Sequence, residues 1–328
     1  MKTTKLCGFN VHGVTLPEVE VQVPEVVAQD MLGFIPKLEP AYTFTREHLQ
    51  VVLNFLQGVW TEGSTEGLQL IGPTGSGKTS LVEQVCARLG VPVVSVTGHD
   101  RLEVPDLVAQ TIAASGTTIT VDGPLTMAMR AGVPFLLNEI DLVEPGTLTG
   151  LNDILERGFV LVAQTNELVK AKLGFAFCAT SNTGGGGDES GLYVGTRVQN
   201  LAFRDRFCKL VVDYPEPATE HGILSAVFNG LDAGVAEGFV KVANMIRDAF
   251  KAGTGMDVTM STRTLIRWVR LSVLYKNVAE RGFSPVHYAM DLALANGTSA
   301  PVSESIHQLI VQVMGASQNP GQASGDAT

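Results

Sequence analysis

No stretch of the 328 residues approaches 18 consecutive apolar positions, so no membrane-spanning helix is expected and no membrane partner. The four cysteines, Cys7, Cys86, Cys178 and Cys208, show no Cys-x-x-Cys spacing. The first 30 residues also lack a charged start followed by an apolar run and a small-residue cleavage site. Together these absences point to a reduced, cytoplasmic protein without a zinc site. Charge is sparse as well: 17% of residues are charged, below the ~25% usual in soluble domains. Positive charge is the minority, with 23 Lys and Arg against 33 Asp and Glu, for a net charge of −10. A basic nucleic-acid footprint over the whole surface is therefore not the default reading, although a local basic patch or pore stays open. Nothing resembles a carboxylate pair for sugar chemistry or a nucleophilic triad.

What the chain does have is glycine, 35 residues, above the ~7% norm and concentrated where backbone must bend or approach a ligand. Its 45% hydrophobic content and its length suit about two domains with substantial cores. Residues 1–44 read as short edge strands or an N-terminal extended arm, an appendage in which valines alternate with polar residues and Pro17, Pro24, Pro36 and Pro40 interrupt. A helix is expected from Thr45 to Val59. Leu68–Ile71, Val93–Val96, Pro134–Leu137 and Phe175–Thr180 read as strands, and Ser80–Leu89 as a helix closed by Gly90. The connections are long enough for crossovers in a parallel sheet, giving an α/β domain over 45–213. Within it, Leu148–Leu155 is expected as one helix and Phe159–Leu168 as a hairpin with a weak turn signal. From 214 to 317 the texture becomes wholly helical, with segments near 218–229, 234–252, 261–276, 285–296 and 303–315. Residues 318–328 are small and polar and read as a disordered tail.

The loops carry the chemistry. Gly72-Pro73-Thr74-Gly75-Ser76-Gly77-Lys78-Thr79-Ser80 satisfies G-x-x-x-x-G-K-[ST] between an apolar strand and a helix. Its glycines let amides turn toward phosphate oxygens, and the helix N-terminus favours negative charge. Lys78 would reach the β- and γ-phosphates of ATP, and Thr79 would hold magnesium. Phe135-Leu-Leu-Asn138-Glu139-Ile-Asp141 ends a second strand, where Glu139 could polarise the attacking water. Asn138 is anomalous, because an Asp is usual at that magnesium-supporting position; a neutral amide offers one carbonyl acceptor and no charge. Asn182, after a further strand, could orient water beside the γ-phosphate, or simply end the strand in a turn. Arg206, and after it Arg204, could reach a neighbouring subunit's phosphate or serve as ordinary ion-pair residues. Arg263, near the start of a helix in the second domain, could close onto nucleotide or stay on the helix surface. His99 reads as a loop residue, and Trp60 and Trp268 as packing residues.

These landmarks in this order resemble the AAA+ ATPases, and within them the MoxR-like branch that contains the small ATPase subunit of aerobic cobaltochelatase. The resemblance runs from about residue 20 to 270. It rests on the phosphate loop, Asp106-Leu107, Gly132 to Asp141, Ala179 to Asn182, Gly191 to Gly195 and Asp205-Arg206-Phe207. It implies a P-loop AAA+ core with a parallel sheet flanked by helices, followed by a small all-helical lid. It also implies a ring, usually hexameric, with nucleotide between subunits. By that resemblance Lys78 and Thr79 are Walker A residues, Asn138 and Glu139 the Walker B pair, and Asn182 sensor 1. Arg206 is the first choice for an arginine finger and Arg204 the second, and Arg263 matches sensor 2. Insertions typical of the branch fall near 98–123 and 158–172, where they could touch a partner or substrate. The family commonly works with a partner containing a von Willebrand A domain. The reading is magnesium-dependent ATP hydrolysis that remodels a protein partner. Its rivals are a nucleotide-gated structural ring with little turnover, which Asn138 favours, and a DNA-acting motor.

Overall fold

Five short strands that are apolar to different degrees pair into one parallel sheet, and that difference decides their order. A computed structural model describes residues 2–5, 8–11, 20–24, 29–114, 116–188, 191, 193–253 and 255–315. The tail at 318–328 lies outside the described residues, as do Cys7 and Pro17. The chain divides into two units, Met1–Pro73 with Gly77–Asp213, and Thr74–Ser76 with Tyr214–Thr328.

Among the described residues four short strands open the first unit: β1 (Lys2–Lys5), β2 (Asn10–Val11), β3 (Glu20–Val23) and β4 (Thr43–Phe44). β1 pairs antiparallel with β3, and β2 parallel with β4. Helix α1 (Arg46–Gln57) follows, with Leu49, Val52, Leu53 and Leu56 buried on one face. Then come β5 (Gly67–Ile71), α2 (Lys78–Leu89), β6 (Val94–Thr97) and α3 (Val104–Val108). A hairpin of β7 (Ala109–Ala114) and β8 (Thr117–Asp122) leads to α4 (Pro124–Ala131) and β9 (Phe135–Asn138). Two short helices, α5 (Pro145–Thr149) and α6 (Asn152–Arg157), precede the hairpin β10 (Phe159–Val162) and β11 (Glu167–Lys170). The unit closes with β12 (Phe177–Ser181), α7 (Leu201–Arg204) and β13 (Phe207–Val211).

The sheet order is β13-β5-β12-β9-β6, every pair parallel. The inner strands β9 and β12 are buried at every residue, whereas the edge strands β6 and β13 expose part of theirs. Alternation along β9 sends Phe135 and Leu137 into one core and Leu136 into another. The first core gathers Leu107, Leu125, Met129, Phe177, Phe203 and Phe207; the second gathers α1, α2, Leu68 and Leu70. Gly67 is required where β13 crosses it, since a Cβ there would stand 2.5 Å from the Phe207 ring.

Several sequence expectations need correction. The described residues of 1–44 form the short strands β1–β4, and Phe9, Val11, Val21, Val23 and Phe44 are buried in the second core. The run after Arg206 is a fifth strand. The single helix expected over Leu148–Leu155 is two, with Gly150 as the C-cap of the first. Trp60 is fully buried and donates to the Gly174 carbonyl, as a packing residue would.

The second unit contains α8 (Pro217–Val227), α9 (Ala233–Lys251), α10 (Thr262–Leu274), α11 (Pro285–Ala293) and α12 (Ala300–Met314). Phe239, Ile246, Leu265, Trp268, Met290 and Ile306 share its core. The rings of Phe239 and Trp268 meet edge to face at 4.5 Å, and the Trp268 indole donates to the Val286 carbonyl. No helix among the described residues is long and apolar enough to cross a membrane.

Candidate functional site

A parallel sheet presents its ligand side beyond the carboxyl ends of its strands, at the point where the strand order reverses. Here that point lies beyond β5, β12 and β9, whose ends carry the phosphate loop, Asn182 and the Asn138-Glu139 pair. Gly75 and Gly77 adopt positive φ of 73° and 97°, a conformation that turns the loop before α2 begins at Lys78. Lys78 is 8% exposed. Its ammonium donates to the Gly72 carbonyl at 2.7 Å, the Pro73 carbonyl at 2.9 Å and Asn182 Oδ1 at 2.9 Å. Burial pushes its pKa below the usual lysine value, against the opposing pull of Glu139 and Asp141.

Asn182 continues the chain of contacts, its Nδ2 donating to Glu139 Oε2 at 3.3 Å. Glu139 sits in the left-handed region at φ 55°, a strained setting for a non-glycine residue. Its backbone amide is held by Thr180 Oγ1 at 3.1 Å. Asp141 is fully buried and accepts at Oδ2 from the amides of Asn182 and Thr183, at 2.7 and 3.0 Å. It therefore fixes the loop that aims Asn182.

Thr79 Oγ1 donates to Asn138 Oδ1 at 2.6 Å. Asn138 Nδ2 in turn donates to Ser95 Oγ at 2.9 Å, which leaves the amide oxygen facing Thr79. Two hard oxygen donors thus converge, a set that fits magnesium when nucleotide phosphates supply the remaining ligands and the negative charge. Ser80 lies half-buried in the first turn of α2.

The structure does not bring Arg206 or Arg204 to this cluster. Gly67 donates its amide to the Arg206 carbonyl at 3.0 Å, so Arg206 stands at the amino end of β5, a whole strand from Gly72. At ~3.3 Å per residue that is roughly 16 Å along the sheet. Arg206 instead pairs with Glu156 at 2.8 Å and donates to the Ala202 carbonyl. Arg204 ends α7 at the same edge. Arg263 is exposed in the first turn of α10 in the helical unit.

Sequence reasoning missed Ser95, Thr180 and the holding role of Asp141. Asp141 stood within the quoted strand-end run, two residues after Glu139. Ser95 and Thr180 carry no signal of their own, since only the adjacency of β6, β9 and β12 brings them to Asn138.

A family model for the AAA domain of the dynein-related subfamily matches residues 67–207, and one for the CbbQ/NirQ/NorQ C-terminal region matches residues 220–313. Protein NorQ of Paracoccus denitrificans is 33% identical over 204 residues, covering 60% of this chain and 70% of that one. The chain belongs to the MoxR-like AAA+ ATPases. Within this family it is also similar to the aerobic cobaltochelatase subunit CobS of Sinorhizobium, 29% identical over 272 residues, covering 80% of this chain and 79% of that one. Protein CbbQ of Hydrogenophilus thermoluteolus is 31% identical, covering 61% of this chain and 71% of that one. As an AAA+ ATPase the chain is an ATP hydrolase, and its five-stranded parallel sheet is that of the family.

Proposed function

We propose that this AAA+ ATPase hydrolyses ATP with magnesium at boundaries between subunits of a cytoplasmic ring, six copies being the expected number, and that the cycle remodels a protein partner. The observation that carries the reading is the continuous chain from the phosphate loop through Lys78 and Asn182 to Glu139. All three hydrogens of the Lys78 ammonium are held on local acceptors, which phosphate oxygens would replace. Residues Gly72 to Ser80 would cradle the phosphates. Glu139 would orient and deprotonate the attacking water, with Asn182 setting its direction. Thr79 and Asn138 would hold magnesium, which when bound offsets phosphate charge during transfer.

The position of Arg206 supports a reaction shared between copies. It stands a strand's length from its own phosphate loop, so the phosphate it would stabilise belongs to a neighbour, and Arg204 at the same edge is the second candidate. Arg263 would contact nucleotide from the helical lid over 214–317. The hairpins β7–β8 and β10–β11 occupy the insertions where a partner, such as a von Willebrand A domain protein, would bind. Asn138 favours a second reading, a nucleotide-gated ring with little turnover, because the amide brings no charge to the metal.

Steady-state phosphate release across a protein-concentration series, beside Glu139→Gln, tests the reading. Turnover that rises cooperatively with concentration and vanishes in the variant is expected. Release no greater than that of the variant, with ATP bound, would leave the nucleotide-gated ring.

A further inference from the structure

The helical unit buries an ion pair where apolar packing would be simpler. Glu220 on α8 is fully buried and Arg247 on α9 is 3% exposed. The guanidinium forks onto the carboxylate, Nη1 to Oε2 at 2.7 Å and Nη2 to Oε1 at 2.8 Å. Taking two charges out of water costs several kcal/mol per ion, so such a pair is weak evidence of net stabilisation and invites a positional explanation.

Arg247 Nη1 also donates to Asn244 Oδ1 at 3.2 Å and its guanidinium lies over the Tyr214 ring at 4.4 Å, while each member of the pair has a further contact at the start of α10. Arg247 Nε donates to the Met260 carbonyl at 2.6 Å, and the Thr262 hydroxyl donates to Glu220 Oε1 at 2.8 Å. Between them Ser261 caps α10, its Oγ accepting from the Thr264 amide at 3.0 Å. The pair thus grips the chain on both sides of the cap, one residue before the exposed Arg263. A planar guanidinium can hold Glu220 and the Met260 carbonyl at once because its donors point in fixed, divergent directions.

We infer that Glu220 and Arg247 are positioning residues for Arg263: they fix the first turn of α10 so that its guanidinium is presented to nucleotide. This rests on the reading of Arg263 as a nucleotide contact. Arg247→Lys keeps the charge but not the fork, and Thr262→Val removes one grip while leaving the pair intact.

The test is the dissociation constant of the full-length protein for a non-hydrolysable ATP analogue. It is measured for Arg263→Ala, Arg247→Lys, Thr262→Val and the double variant Arg247→Lys/Arg263→Ala, with urea unfolding in parallel. Arg263→Ala should weaken binding roughly tenfold, and Arg247→Lys should weaken it roughly threefold to tenfold. Thr262→Val should act in the same direction, more weakly, and covers the case in which Arg247→Lys fails to fold. The double variant should bind no worse than Arg263→Ala, because both changes remove one contact. Lost stability with unchanged affinity in both Arg247→Lys and Thr262→Val, or losses that add in full in the double variant, would overturn the inference while leaving Arg263 as a nucleotide contact. Unchanged affinity in Arg263→Ala would overturn that contact, and the positioning role with it.

Discussion

The two units bury polar groups in opposite ways. At the carboxyl edge of the sheet, Lys78 is held by two loop carbonyls and one amide oxygen, and Glu139 sits strained at a left-handed φ. In the helical unit the carboxylate and guanidinium of Glu220 and Arg247 satisfy each other, and Arg247 also takes the Met260 carbonyl. On the proposed function the first set exchanges its partners for a ligand; on the proposed positioning role the second serves geometry. Burial alone therefore does not mark a reactive site. What marks it is a charged group whose present acceptors are weaker than those a phosphate would offer.

The comparison can be broken most forcefully through the groups proposed to act on nucleotide. Arg206→Ala should lower turnover of the assembled protein by about 10³-fold or more, the range of a finger acting between copies, while nucleotide affinity of the single chain stays unchanged. Parallel rate and binding measurements check this. Next in size, Glu220→Ala strands a buried guanidinium and should cost about 3–5 kcal/mol in urea unfolding, far more than removal of a surface pair.

A third prediction uses pH. In the helical unit His287 Nδ1 lies 2.7 Å from His307 Nδ1, and His307 Nε2 lies 2.7 Å from Asp291. Burial first, then the facing His307, lowers the His287 pKa from 6.5 to about 4, with Asp291 pulling the other way. As pH falls from about 6.5 to about 4, the unfolded chain gains a proton that the folded one refuses. Stability is fully present above that window and lost on descending through it, by on the order of 3 kcal/mol for this group. Unfolding midpoints in urea from pH 7 to pH 4.5, beside His287→Gln, should show the slope flattening in the variant. The smallest effect is expected at Asn138. Asn138→Asp places a carboxylate at the proposed metal position and should raise magnesium affinity by about tenfold, read from the magnesium dependence of turnover.

Much of the candidate site was legible because its residues must be contiguous: nine residues in a row make the proposed phosphate loop, and Asn138 and Glu139 end one apolar run. What supports the site was not, because Ser95 and Thr180 are ordinary strand residues until β6, β9 and β12 lie side by side. The strand β13 escaped notice because Phe207-Cys-Lys-Leu-Val is an edge segment with only Phe207 and Leu210 buried. The hairpin β7–β8 lies in an insertion that the sequence located by resemblance and gave no form. Glu220 and Arg247 stand 27 residues apart on different helices, each looking like a surface charge until the helices pack.

The central claim, that each reaction centre is shared by two copies of the chain, is tested most directly by mixing two impaired variants. Glu139→Gln retains the arginine but lacks the group proposed to activate water; Arg206→Ala retains that group but lacks the arginine. Each alone should release phosphate only weakly. Mixed and allowed to exchange subunits, they should regain turnover, since some boundaries then join an intact Glu139 to an intact Arg206. A mixture no more active than the sum of its parts, with subunit exchange demonstrated, would contradict the account.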